Sequence, residues 1–281
     1  MYKLIAVDVD GTLLDSNKNL TTETINAIHQ AVEKGLIFTI CTGRPIQGVE
    51  PLIEKIGLDL PFITYNGAMI VMGKSREILF EVKMSNEDVK VVVELGQKYG
   101  TTTIIWVDNK LYVQQLTQQA YDYGEMSKTK PLLIKDLNEL INKGVTKVLW
   151  YDQVETIAKF QNEVGPFLNK TINYHISQPF LLEFVDIKAS KAKSLARLGG
   201  YFGIKQEEII AIGDGYNDLS MIEYAGLGVA MANAEEAIKN RADYVTLSND
   251  KNGVAHVIYR FVLANTPEPS CNKRLLELNQ I

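Results

Sequence analysis

The chain has 281 residues, enough to bury a sizeable core in one large domain or two of ordinary size, and two is the expectation. Its 34 acidic and 29 basic residues give a net charge of −5, and the basic ones are scattered, which excludes a nucleic-acid footprint and favours a small soluble partner. Cys41 and Cys271 lie far apart and match neither a metal spacing nor a disulfide framework; the opening residues do not read as a leader, and nowhere do eighteen apolar residues run together, so no membrane span is expected and the expected location is the cytoplasm.

Leu4-Ile5-Ala6 reads as a first strand, with Asp8-Val9-Asp10-Gly11-Thr12 at its carboxyl end. Two residues apart on one strand, Asp8 and Asp10 are expected to point to the same face. Thr21-Thr22-Glu23 opens a helix with the apolar face Ile25, Ala27, Ile28, Ala31 and Val32, closed by Lys34-Gly35. A strand over 36–41, a helix after Pro45 and a strand over 62–65 complete β-α-β-α-β, the pattern of a parallel sheet with helices on both faces. After Asn66-Gly67, the runs 68–71 and 78–82 flank Met72-Gly73-Lys74 and read as a hairpin.

From there to about Asp186 the texture is α+β: a helix over 88–99, strands over 103–107 and 110–114 around Asp108-Asn109, and a helix near Tyr121. A strand over 146–151, a helix over 154–164 and strands near 171–176 and 180–185 follow. The earlier rhythm resumes with a helix from Ser190, strands over 209–212 and 228–231, and helices over 218–224 and 234–240. The expected fold class is α/β: a Rossmann-like doubly wound parallel sheet built from 1–83 and 187–281, interrupted by an inserted α+β domain at 84–186. The tail from Asn265, with Pro267 and Pro269, reads as a loop followed by a short helix.

Four polar clusters follow strand-like runs of the interrupted domain: Asp8 and Asp10, Thr42-Gly43-Arg44, Asn66-Gly67, and Gly213-Asp214-Gly215-Tyr216-Asn217-Asp218. Parallel strands point the same way, so the four converge at one edge of the sheet. Carboxylates gathered there repel one another unless a divalent cation sits among them, and Mg²⁺, which takes oxygen ligands and bridges to phosphate, suits the site. Taken singly the clusters have plainer explanations: Asp214 and Asp218 suit a turn and a helix N-cap, Thr42-Gly43-Arg44 and Asn66-Gly67 suit tight turns, and Lys191 suits a solvated helix. Gly213-Asp214-Gly215 lacks the further glycine of a dinucleotide fingerprint. His29, His175 and His256 share no ligand spacing and read as surface or packing residues.

In combination and in this order, the motifs resemble those of the haloacid-dehalogenase-like (HAD) phosphohydrolase superfamily: the opening DxDGT, a Thr ending the second strand, a Lys ahead of the last acidic motif, and GDxxND. The insertion after Asn66-Gly67, with Thr42-Gly43-Arg44-Pro45 and Ile222-Glu223-Tyr224-Ala225-Gly226, is similar to the Cof-type branch with its C2-type cap, and within it to the bacterial sugar phosphatases. The resemblance covers all but about the last fifteen residues. It implies a Mg²⁺-dependent phosphatase of small phosphomonoesters, most of all sugar phosphates, acting through an aspartyl-phosphate. Asp8 is then the nucleophile and a metal ligand, and Asp10 the acid and base, its carboxyl raised towards the working pH and its backbone carbonyl a second ligand. Asp214 is a further ligand, supported by Asp218. Thr42 and Lys191 hold the transferring phosphoryl group. Gly43, Arg44, Asn66, Asn217 and Glu183 are the expected phosphate or substrate contacts.

Where the family commonly has Gly after the catalytic Lys this chain has Ala192, and Lys188 is a second candidate for the role of Lys191. A sugar phosphomutase on the same core, a phospho-acceptor regulatory domain and a sugar-phosphate sensor are the competing functions. The partner is a small phosphorylated metabolite, with no nucleic acid and no membrane; oligomeric state is left open.

Overall fold

The computed structural model describes residues 1–264, so the expected loop and helix of the tail lie outside the described residues. The first part runs β1 (Leu4–Val7), α1 (Thr22–Glu33), β2 (Ile37–Cys41), α2 (Ile46–Ile56), β3 (Phe62–Thr64), β4 (Met69–Val71) and β5 (Ile78–Glu81). The insertion follows as α3 (Asn86–Tyr99), β6 (Thr102–Val107), β7 (Lys110–Val113), α4 (Gln118–Met126), β8 (Leu132–Leu133), α5 (Leu137–Asn142), β9 (Lys147–Tyr151), α6 (Val154–Glu163), β10 (Ile172–Gln178) and β11 (Leu181–Asp186). The chain then returns through α7 (Lys191–Tyr201), β12 (Ile209–Gly213), α8 (Leu219–Tyr224), β13 (Leu227–Ala230), α9 (Glu236–Lys239), β14 (Tyr244–Val245) and α10 (Gly253–Val257).

Fully buried, uninterrupted apolar strands such as Leu4-Ile5-Ala6-Val7 are what a parallel sheet covered on both faces requires. Eight strands form that sheet in the order β14-β13-β12-β1-β2-β3-β4-β5. The strands from β14 to β3 are parallel, and the β4–β5 hairpin adds an antiparallel edge. Helix starts follow local capping: the Thr21 hydroxyl accepts from the Thr24 N–H at 3.2 Å, and the Ser190 hydroxyl from the Lys193 N–H at 3.1 Å. The fold is thus the doubly wound α/β core with an inserted α+β cap.

The cap sheet has six strands in the order β10-β11-β9-β6-β7-β8. Strand alternation sorts its residues onto two faces. Ile105, Val107, Val148, Trp150, Leu182 and Phe184 pack with residues of α3, α5 and α6. Ile104, Trp106, Leu149 and Leu181 belong instead to the cluster that contains Tyr65 and Ala68 of the core, with the Tyr65 and Trp106 rings 5.6 Å apart. The second face of the cap therefore lies against the ends of the core strands. Four short elements, β8, α5, β14 and α10, have no counterpart in the periodicity, because two to six residues are too few to display a period.

Candidate active site

β1 stops at Val7, one residue before the first carboxylate, although the Asp8 N–H still donates to Ile212 O at 3.0 Å. Both carboxylates thus lie beyond the strand, at the start of a turn over Val9–Leu13 that passes through Gly11 at φ 81°, and not on one strand face as their spacing suggested. Asp8 is buried and its Oδ1 accepts from Lys191 Nζ at 2.5 Å. The same ammonium donates to Asp218 Oδ1 at 2.6 Å. Asp218 Oδ2 accepts the backbone N–H groups of Asp214, at 3.1 Å, and Gly215, at 2.9 Å, which fixes the loop after β12. Asp214 Oδ1 accepts from the Thr12 hydroxyl at 2.9 Å. Lys191 opens α7 from the buried side, whereas Lys188 is exposed; of the two candidate lysines, Lys191 is the one at the carboxylates.

One oxygen from each of Asp8, Asp214 and Asp218 lies within 4.8 Å of the others. Burial, and then the Asp218 charge, push the Asp8 carboxyl up to about 8, and the same causes raise Asp214 to about 6. Burial works against the charge of Lys191, but Asp218 and Asp8 more than offset it and hold the ammonium protonated. Three carboxylates against one ammonium leave an excess of negative charge in a buried place, which is the donor chemistry of an oxygen-liganded divalent cation. Asp218 already receives three bonds, the Lys191 ammonium on one oxygen and two backbone N–H groups on the other, so Asp8 and Asp214, with fewer bonds, fit such an ion better, with Asp218 orienting the loop.

Asp10 is turned to a different partner. Arg44 forks onto it, Nε to Oδ2 at 2.8 Å and Nη2 to Oδ1 at 2.7 Å, and Lys18 adds a bond of 3.0 Å. Burial favours the neutral acid, but Arg44 and then Lys18 outweigh it and hold the carboxyl below its ordinary value, opposite to the rise expected of an acid and base. Thr42, buried at the end of β2, accepts the Arg44 N–H on its hydroxyl at 3.2 Å. The Thr64 hydroxyl in turn donates to the Arg44 carbonyl, so β2 and β3 fix this loop between them.

Asn66 sits in a left-handed turn at φ 54° and faces the cap. Its Nδ2 meets His175 Nε2 at 2.8 Å and Glu183 Oε2 at 3.0 Å, and its Oδ1 lies 3.4 Å from Asn217 Nδ2. Glu183 is buried and its other oxygen accepts from Lys147 Nζ at 2.9 Å; Lys147 also donates to the Gly43 carbonyl at 3.3 Å. Glu183 is therefore an internal ion-pair partner rather than an open substrate contact. His175, expected to be a surface or packing residue, lines the cleft between cap and core. That cleft, of about 470 Å³, is also lined by Asn66, Gln161, Asn173, Lys191 and Asn217. A larger shallow groove of about 660 Å³ beside α4, around Tyr121 and Lys128, contains none of these residues.

The haloacid dehalogenase-like hydrolase family profile matches residues 5–258. The chain belongs to this family. A haloacid dehalogenase-like hydrolase from Bacteroides thetaiotaomicron is 34% identical in sequence and superposes with a TM-score of 0.83 over 92% of this chain and 99% of its own. The HAD subclass IIB sugar phosphatase BT4131 superposes with a TM-score of 0.79 at 28% identity, over 93% of this chain and 99% of its own. The 5-amino-6-(5-phospho-D-ribitylamino)uracil phosphatase YcsE of Bacillus subtilis is 30% identical over 262 residues, 93% of this chain and 96% of the relative. The HAD-family protein described here is accordingly a phosphoric monoester hydrolase of the Cof-type branch, which works by phosphoryl transfer.

Lys147 and His175 are the site residues that sequence reasoning missed. A signal was present for the first: Lys147 falls inside the strand-like stretch from Thr146 to Tyr151, next to Val148-Leu149-Trp150, and a lysine inside a buried strand requires an acid on a neighbouring strand. Glu183 stands in the same position in β11, flanked by Leu182 and Phe184. Nothing in the spacing of the histidines marked His175, because its role depends on register with Glu183 across β10 and β11.

Proposed function

We propose that this enzyme hydrolyses small phosphomonoesters, sugar phosphates foremost, in the cytoplasm and with Mg²⁺ as its cofactor. The observation that carries the reading is the buried Asp8 carboxylate at the end of β1, beside Asp214 and held by Lys191, which itself lines the cleft. An Asp8 oxygen attacks phosphorus and the bond to the leaving oxygen breaks, giving an aspartyl-phosphate. Asp10 protonates the leaving oxygen and then takes a proton from the water that releases inorganic phosphate. A phosphate in the cleft competes for the Arg44 guanidinium, which frees the Asp10 carboxyl from the bond that now holds it ionised. Thr42, Gly43 and Asn217 line the phosphate side, and Lys191 offsets charge on the transferring group. A divalent cation held by Asp8, Asp214 and the Asp10 carbonyl would shield the nucleophile from the phosphate's charge.

In this reading residues 1–83 and 187–281 carry the chemistry and 84–186 are the cap that excludes bulk water and meets the leaving group. Apart from the Lys191 ammonium, which stands at the Asp8 end, the cleft lining is mostly amides, hydroxyls and an imidazole, with no carboxylate among the described residues, and suits an uncharged polyhydroxylated leaving group. The test is phosphate release with Mg²⁺ from a panel containing sugar phosphates, the YcsE substrate and phosphopeptides. Fast release from sugar phosphates is expected. Isomerised sugar phosphate without free phosphate would point to a mutase, and a phosphoenzyme lasting minutes without turnover to a regulatory domain. Activity confined to phosphopeptides would overturn the substrate reading.

A further inference from the structure

Asn66 joins the two walls of the cleft, and the cap decides how its amide is turned. Its Nδ2 donates to Glu183 Oε2 at 3.0 Å and to His175 Nε2 at 2.8 Å. An amide nitrogen carries two hydrogens, so both go to cap acceptors. The carbonyl Oδ1 is left on the cleft side, where Asn217 Nδ2 lies at 3.4 Å and both asparagines form part of the lining.

Of the two acceptors, Glu183 fixes the orientation of the amide and His175 follows it. Glu183 is acceptor-only, and its second oxygen is occupied by the Lys147 ammonium, which can only donate. His175 Nε2, meeting an NH₂ group, must be the nitrogen without a proton; burial keeps the ring below its ordinary pKa and so neutral. Gly43 closes the arrangement from the core. A Cβ at that position would stand 2.9 Å from both Oδ1 and Nδ2 of Asn66, so any larger residue would displace the amide.

We infer that Asn66 is a specificity residue whose Oδ1 accepts a hydrogen bond from a hydroxyl of the leaving group, and that Glu183, supported by His175, is the positioning residue that fixes which end of the amide faces the substrate. The inference rests on the phosphatase reading above. It gives the buried Lys147–Glu183 pair a function at a distance: Lys147 anchors Glu183, Glu183 orients Asn66, and only Asn66 touches substrate. The glutamine introduced by Glu183→Gln must turn its oxygen to Lys147, which presents its NH₂ to Asn66. Two NH₂ groups cannot bond, so the Asn66 amide rotates and offers a donor to the cleft where the wild type offers an acceptor.

The test compares kcat/KM for p-nitrophenyl phosphate, whose leaving group has no hydroxyl substituent, with terminally phosphorylated tetrose, pentose and hexose aldoses. Wild type, Asn66→Ala, Glu183→Gln and His175→Phe are measured with Mg²⁺ present. Each variant is expected to lose on the order of tenfold more on the best aldose phosphate than on p-nitrophenyl phosphate, read as the ratio of the two kcat/KM values. In the Asn66→Ala background, Glu183→Gln should add nothing further to that ratio, whereas a purely structural role would add its full effect. Equal losses on both substrate types overturn the inference, as does a wild type that prefers p-nitrophenyl phosphate to every aldose phosphate. Should Glu183→Gln fail to fold, Asn66→Ala and His175→Phe, neither of which strands a buried charge, decide the matter. Hydrolysis of p-nitrophenyl phosphate that survives Asp8→Asn would instead sink the underlying nucleophile assignment.

Discussion

At the edge of the eight-stranded sheet three carboxylates gather around one ammonium, with Asp8 and Asp218 bonded to Lys191, whereas on the facing cap sheet Glu183 meets Lys147 one to one. Both clusters are buried, yet their electrostatics run in opposite directions. In the cap, burial opposes each charge, but Glu183 raises Lys147 and Lys147 lowers Glu183, so both stay ionised. In the core, burial and neighbouring carboxylates push Asp8 and Asp214 towards the neutral acid. A balanced pair is a fixed anchor, and an unbalanced cluster is, on the function proposed above, where positive charge and a phosphoryl group would bind. On that proposal the cap positions and the core carries the chemistry.

The largest effect expected is at the nucleophile. Asp8→Asn removes turnover by at least about 10³-fold, with the far-ultraviolet circular dichroism spectrum unchanged, because the amide relieves repulsion with Asp218. Lys191→Met comes next, lowering kcat by about 10²-fold through loss of charge stabilisation at phosphorus. Retention of wild-type kcat by that variant would break the division of labour.

A third prediction concerns pH. An acid whose folded pKa is raised, as Asp8 from 3.8 to about 8, keeps a proton that the unfolded chain has released. The cation-free protein should therefore lose stability as pH rises from about 4 to about 8. Mg²⁺ should raise Tm more at pH 8 than at pH 5, since it binds the ionised form, and Asp8→Asn should flatten the slope. Thermal melts across pH with chelator and with Mg²⁺ measure all three.

The cap pair should behave differently. Lys147→Met alone leaves Glu183 buried and unpaired and should destabilise by roughly 3 kcal/mol, while Lys147→Met combined with Glu183→Leu should recover most of that loss by denaturant titration. Smallest of all, Lys18→Ala should change stability by less than about 0.5 kcal/mol, because its bond to Asp10 is made by a side chain 65% exposed.

The acidic motifs and the alternating elements made the core legible, because parallel strands force the residues that follow them to one edge. Asp8, Lys191, Asp214 and Asp218 are brought together from positions that span most of the chain. Asp10 was legible as a residue but not in its surroundings: a fork to Arg44 depends on the turn at Gly11 and the loop after β2. The cap was harder. Five of its six strands were found with shifted ends, but Lys147, Glu183 and His175 meet through antiparallel register, which hydrophobic periodicity does not specify for polar positions.

The sequence by itself determined the family, the doubly wound core and the identity of the acidic motifs, since those rest on local pattern and on the order of motifs along the chain. Tertiary structure alone decided which lysine of the 188–191 stretch reaches the Asp8 carboxylate, that Glu183 is an internal anchor, and that the Asn66 amide bonds to the cap. Those facts concern directions of hydrogen-bond donors between segments from 36 to 183 residues apart, and residue types and spacing carry no information about direction until the chain is folded.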